Sequence, residues 1–253
     1  MAAYDTAMAL LWSRTHEGRR YEVRSAGRTR RLYTDGVFHS QYHPDRPVTQ
    51  GVWDLLYLPV HFLDHPEGAR ALVLGVGGGA VLRLLGRHAR CRTILGVERD
   101  PVHIDIARRF FGVPKHQMVQ DDAVRWLEHA RPGQIDYLVD DLFDGSHGEP
   151  VRAVRADARW CSHLARVLAP GGVIVMNFAS LDELESCAFL RSRALARRFP
   201  SAFRLTLPGY ANAVGVFCRR PAATGVLRRR LRAMPELRLG RQGGLAYRIR
   251  TLR

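Results

Sequence analysis

Apolar residues along this chain fall into two rhythms. Residues 21–40, YEVRSAGRTRRLYTDGVFHS, alternate apolar and polar positions and are interrupted by Ala26-Gly27-Arg28 and Asp35-Gly36. Period-two patterning broken by such turns predicts short antiparallel strands. From residue 70 onward, short apolar runs alternate with segments of helical spacing. Strands are expected at 71–75, 93–97, 118–119, 137–139 and 173–177, and helices at 80–88, 100–111, 123–129 and 156–168. A further helix is expected near 181–198, then a hairpin from 203–207 and 213–218. Alternating strands and helices predict an α/β fold, a mostly parallel sheet covered by helices on both faces. Three regions follow. Residues 1–62 hold an N-terminal helix and a small β segment, with an apolar-faced helix over 50–63. Residues 63–220 form the α/β domain, and 221–253 an arginine-rich extension packing on it.

Length and composition narrow the reading. The 253 residues, 46% of them hydrophobic, suit one medium domain with a real core. No apolar run is long enough to span a bilayer, and the first twenty residues lack the basic segment of a secretory signal. Cys91, Cys161, Cys187 and Cys218 are scattered without metal-ligand spacing, so reduced thiols, a cytoplasmic location and no metal are expected. The net charge of +15 raises the possibility of a nucleic-acid partner. Yet Lys115 is the only lysine against 38 arginines, a bias of coding composition rather than selection for a polyanion, and the sequence carries no zinc finger or RNA-binding motif. A solvated arginine surface is the preferred reading, and a nucleic-acid partner is not favoured.

One stretch departs from this basic background. Residues 121–150 carry eight acids (Asp121, Asp122, Glu128, Asp136, Asp140, Asp141, Asp144, Glu149) against Arg125 and Arg131. Upstream, the run ALVLGVGGGAVLRLL places Gly75, Gly77, Gly78 and Gly79 between a strand and a helix. Such a loop lets a ligand approach the backbone at the positive end of a helix. Glu98, 23 residues beyond Gly75, closes the second strand, where it can accept hydrogen bonds from ribose hydroxyls. These features alone fit NAD and S-adenosylmethionine equally. Asp122 after the third strand suits an adenine amino group, and Asp141 after the fourth faces the reacting end of a ligand. That series favours an adenosyl sulfonium ligand.

The pieces LYTDGVFHS, VLGVGGGAVLRLL, ILGVERDPVHIDIARRFF, DDAVRWL, DYLVDDLFDGSHGEP and APGGVIVMNF together resemble the spermidine synthase-like proteins. The resemblance runs from about Tyr21 to Cys218. It implies the Rossmann-like class I methyltransferase fold, a small β segment leaning over a nucleoside pocket, and a homodimer. It also implies a co-substrate, S-adenosylmethionine or its decarboxylated form, and a small-molecule acceptor bearing an amine. Glu98 matches the family's ribose acid and Asp122 its adenine acid. Asp141-Leu142-Phe143-Asp144-Gly145 keeps both acids of the family's catalytic Asp-Ser-Ser-Asp-Pro. His39 stands where the family has a glutamine.

Other positions depart from the family. The aspartate that holds the aminopropyl amine is matched to Ala80, and the amine-binding Tyr-Gln-Glu falls on Gly51-Val52-Trp53, with Gln50 or Asp54 as substitutes. These losses place methyl transfer slightly ahead of aminopropyl transfer, the alternative, with a non-catalytic nucleoside-binding protein as a further reading. Asp141 is the candidate catalytic residue, and Asp144 and His39 the candidate substrate contacts. Other histidines, such as His103, are read as packing.

Overall fold

The computed structural model describes residues 8–144 and 151–253. Its centre is an eight-stranded sheet in the order β14-β12-β13-β11-β8-β5-β6-β7. The strands β5 (Arg70–Leu74), β6 (Thr93–Glu98), β7 (Met118–Gln120), β8 (Ile135–Asp140) and β11 (Leu168–Phe178) run parallel. The strands β12 (Ser201–Thr206), β13 (Ala213–Cys218) and β14 (Arg248–Thr251) extend the sheet antiparallel to their neighbours. Successive β5 residues point to opposite faces. Ala71 and Val73 join one apolar cluster, Leu72 and Leu74 the other, and all four are buried. A strand covered on both sides needs no polar alternation, which explains the continuous apolar run. The two clusters are the faces that helices cover, and each fully buried Leu or Val contributes about 1.5–3 kcal/mol.

The expected hairpin is present as β12 and β13, and the arginine-rich end of the chain supplies α9 (Thr224–Arg232) and the edge strand β14. The expected helix over 181–198 is three short ones, α6 (Leu181–Ser186), α7 (Ala188–Arg191) and α8 (Arg193–Arg198). Extended ψ angles at Cys187 (137°) and Ser192 (119°) break it, and the Ser192 hydroxyl accepts from the Leu195 amide to start the last piece. The helix expected over 50–63 is α1 (Val52–Tyr57) followed by a 3-10 turn over Leu58–Phe62. Pro59 lacks the amide that an α-helical ladder requires in its interior.

The N-terminal region needs one correction. Instead of a helix, the first described element is a strand, β1 (Ala9–His16). It pairs antiparallel with β2 (Arg19–Ala26), which continues through β3 (Thr29–Thr34) to β4 (Val37–Tyr42). The ladder with β2 satisfies the β1 backbone groups that face it, while most of its side chains remain exposed. Trp12 anchors it to Phe110 of α3 (Pro101–Phe111), with ring centroids 5.8 Å apart. This four-stranded sheet leans over the C-terminal ends of the parallel strands.

Candidate functional site

A cavity of about 320 Å³ lies between the N-terminal sheet and the C-terminal ends of the parallel strands. Each strand delivers a residue to it: Gly75 after β5, Glu98 at the end of β6, Asp122 after β7, Asp141 after β8 and Asn177 near the end of β11. Ligands of open α/β sheets bind at this edge. Four of these five residues belong to the acid-and-glycine series read from the sequence.

The glycine loop makes room by close packing. Gly75 has φ +80°, and a Cβ there would collide with the Asp141 carbonyl, which the Asp141 amide, donating to Leu74 O, holds close at the cavity floor. Gly77, Gly78 and Gly79 lie behind this point. A Cβ on them would meet His39 O, the Ser40 side chain and the Val113 side chain. Their smallness therefore seats β4 and the end of α3 against the loop. Ala80 is buried at the start of α2 (Ala80–Leu84) and lines a separate small pocket beside Tyr42 and Arg83. An acid is therefore not missing from the cavity at Ala80, and this position gives no reason to prefer a methionine arm.

Glu98 secures the loop. Its Oε2 accepts from the amides of Val76 (2.9 Å) and Gly77 (3.0 Å), and its Oε1 from the Asp100 amide (3.0 Å). An ionised carboxylate offers about four acceptor sites, so a ligand hydroxyl can still be accommodated. Asp122 caps α4 (Ala123–His129), its Oδ1 accepting from the Val124 and Arg125 amides at 2.9 and 3.1 Å. Among the described residues its Oδ2 has no partner, and the side chain borders the cavity. Cap and cavity contact are compatible. Asp100, read as a cap from the Asp-Pro pair, caps α3 and also accepts from the Tyr21 hydroxyl at 2.8 Å, tying β2 to the rim.

Asp141 is held in two ways. Its amide donates to Leu74 O at 2.9 Å, and its Oδ1 accepts from Asn177 Nδ2 at 2.8 Å. Asn177 in turn accepts from Asn212 Nδ2 at 3.1 Å, so three side chains form a relay along the cavity. Burial raises the Asp141 carboxyl to about 6; the Asn177 hydrogen bond opposes the rise, and nearby Asp140 adds to it. The preceding Asp140 is fully buried and points the other way. It accepts from Arg152 Nη2 and Trp160 Nε1, both at 2.8 Å. Of two adjacent acids, one is structural and one faces the cavity.

Asp144 borders the cavity but accepts from Arg99 Nη2 at 3.2 Å, so its charge is already partnered. His39 lies in the roof on β4. Burial, with neighbouring His103 and Arg19, depresses its imidazole to about 3, and its Nε2 is buried without a partner among the described residues. It is therefore neutral at physiological pH. Asp54 accepts from the Thr49 amide and hydroxyl and from the Gln50 amide, so it shapes the turn before α1. Gly145, Ser146 and Glu149 lie outside the described residues.

Several lining residues were not singled out by the sequence. His103, read as packing, borders the cavity; its Nε2 lies 2.8 Å from Thr34 Oγ1 and its ring 5.1 Å from His39. Arg19, Asn177, Tyr210 and Asn212 complete the wall. Asn177 had a signal, a polar residue near the end of the apolar strand VIVMNF; Tyr210 and Asn212 sit in a loop with none. Among the described residues no group of three potential metal ligands is present, and no helix is long and apolar enough to cross a membrane.

Comparison with known proteins agrees with this geometry. Residues 58–218 match the Spermine/spermidine synthase domain. A polyamine aminopropyltransferase of Mycobacterium tuberculosis is 33% identical over 161 residues, 59% of this chain and 29% of that protein. The chain thus spans well under half of that relative's length. A probable spermidine synthase from Corynebacterium glutamicum superposes with a TM-score of 0.72 at 18% identity, covering 95% of this chain and 90% of that one. Human methyltransferase-like protein 13, in complex with SAH, has a TM-score of 0.61 at 22% identity over 75% of this chain and 93% of that one, a likeness of fold alone. The preference for methyl over aminopropyl transfer has no support among these relatives; the aminopropyl alternative is the better backed. The chain belongs to the spermine/spermidine synthase domain family.

Proposed function

We propose that this protein transfers an aminopropyl group from decarboxylated S-adenosylmethionine to an amine, within the cavity beneath the N-terminal sheet. The observation that carries the reading is Asp141: a carboxylate after β8, at the cavity, oriented by Asn177 and shifted to about 6. The family match and the aminopropyltransferase relative favour the aminopropyl group over methyl.

In this reading Glu98 and Asp122 receive the ribose and adenine of the co-substrate at the β6 and β7 ends. The acceptor nitrogen approaches the carbon next to the sulfonium beside Asp141. A new N–C bond forms as the C–S bond breaks; the electron pair of that bond goes to sulfur, leaving neutral methylthioadenosine. The acceptor enters as an ammonium and first passes one proton to Asp141, which frees the nitrogen lone pair for the attack and leaves the positive charge on the alkylated nitrogen. A carboxyl that titrates near 6 is ionised at neutral pH, so it attracts the cationic amine and remains a usable proton acceptor. Holding nitrogen and carbon in line supplies the rest of the acceleration.

The test is incubation with decarboxylated S-adenosylmethionine and a panel of amines, following methylthioadenosine by mass spectrometry. Release that depends on the amine and is lost in Asp141→Asn is expected. Binding of methylthioadenosine without turnover of any amine would overturn the transfer and leave a nucleoside-binding protein.

A further inference from the structure

Aromatic rings form part of the cavity wall, with Phe38, Trp53 and Tyr210 all lining it. Phe38 and Trp53 meet edge to face with centroids 5.0 Å apart, and Tyr33 stacks on the outer side of Phe38 at 5.2 Å. A Cβ on Gly51 would lie 2.8 Å from the Trp53 ring and 3.2 Å from the Tyr210 hydroxyl, so Trp53 and Tyr210 close the same corner. Tyr210 shares its loop with Asn212, the residue that bonds Asn177 and through it Asp141. The aromatic corner and the carboxylate are therefore coupled parts of one wall.

The acids near this corner are already engaged. Asp54 follows Trp53 directly, but both its oxygens accept from residues 49–50, it is buried, and it does not line the cavity. Asp144 is paired with Arg99. Glu98, Asp100, Asp121 and Asp122 follow β6 and β7, on the far side of β5 from Asp141. Among the described residues, the corner offers Asp141 to one amine and aromatic surface to whatever that amine carries.

We infer that the acceptor carries a single basic nitrogen on an apolar or aromatic body, with the nitrogen beside Asp141 and the body against Phe38, Trp53 and Tyr210. This inference rests on the transfer reaction proposed above. A diamine of the same length would bring a second ammonium into the aromatic corner. Taking that charge from water without a carboxylate partner is unfavourable, and attraction to the ring faces offsets only part of the loss.

A matched panel separates the possibilities: decarboxylated S-adenosylmethionine with pentylamine, 2-phenylethylamine or putrescine, read as methylthioadenosine release. The expected kcat/KM for the two monoamines exceeds that for putrescine by ten-fold or more. Equal or better use of putrescine would overturn the inference and leave the transfer reaction standing; no release with any amine would sink both. Tyr210→Glu supplies the missing distal carboxylate and is expected to shift the ratio toward putrescine by at least ten-fold. An unchanged ratio in an active variant would remove Tyr210 from the acceptor wall.

Discussion

Asn177 Nδ2 donates to Asp141 Oδ1 at 2.8 Å, and that bond opposes the burial that raises the Asp141 carboxyl to about 6. Because the bond favours the ionised form, its removal moves the carboxyl further upward. Asn177→Ala is expected to shift the acidic limb of the kcat/KM profile to higher pH. The displacement should be about one pH unit, since one hydrogen bond to a charged group is worth roughly 1.5 kcal/mol or more. A pH–rate profile checks it. An unmoved limb would mean that the limb reports another group.

Asp141→Asn separates chemistry from architecture. Asparagine keeps the size and can still bond Asn177, but it cannot accept a proton. Turnover is expected to fall by about 10²–10⁴-fold, with methylthioadenosine affinity nearly unchanged. Stability moves the other way. A carboxyl whose folded pKa is raised contributes stability below its unfolded value, near 3.8, and loses it as pH rises through about 6. The wild type should therefore weaken between about pH 4 and 6 by a step of roughly 1–2 kcal/mol that the variant lacks. Urea unfolding at pH 4.5 and 7.5 measures the difference.

The parts of the site that could be read from sequence are those fixed by local chain geometry. A buried strand ending in glycines, an Asp-Pro cap and acids placed just after strands are signals carried within a few residues. Glu98, Asp122 and Asp141 all reached the cavity by that route. Adjacent acids were harder to sort, because Asp140 and Asp141 differ only by the strand's alternation, which sends one to Arg152 and one to the cavity. The relay through Asn177 and Asn212 depends on β13 pairing with β11, a non-local contact with no local spacing rule. The Ala80 argument failed because one residue on a helix start decides whether a side chain faces the ligand or the core. β1 escaped because the consecutive Leu10 and Leu11 are both exposed, beside a register shift between Leu10 and Trp12, which blurs the alternation.

Glu98 has two tasks, and two substitutions divide them. Glu98→Ala leaves the amides of Val76, Gly77 and Asp100 without their acceptor, so both the loop and ligand binding should suffer. Glu98→Gln keeps one carbonyl oxygen for the loop and loses the charge that a ribose hydroxyl pair would meet. Its affinity for methylthioadenosine is expected to drop about ten-fold, from a loss near 1.5 kcal/mol, at a melting temperature closer to wild type than that of the alanine variant. Calorimetric titration and thermal unfolding read the two effects. Wild-type affinity in a folded glutamine variant would remove Glu98 from the ligand contacts.

Arg152 couples stability to the site. Its guanidinium is buried, donating to Asp140 Oδ2 at 2.8 Å, to Asn177 O at 2.6 Å and to Val154 O at 3.2 Å. Burial alone would lower the Arg152 pKa, but the neighbouring Asp140 charge and hydrogen bond outweigh it and hold the guanidinium above its ordinary value. Arg152→Met would strand a buried carboxylate and two carbonyls. The expected loss is about 3–5 kcal/mol, the usual result of removing one partner from a buried pair. Asp140→Asn in the same chain removes the stranded charge while an amide can still accept from Trp160 Nε1, so the double variant should recover part of that loss. Recovery in urea unfolding would identify the unpaired charge as the main cost. A double variant no better than Arg152→Met would place the cost in the lost bonds to the Asn177 and Val154 carbonyls, and Asn177 is the residue whose side chain orients Asp141.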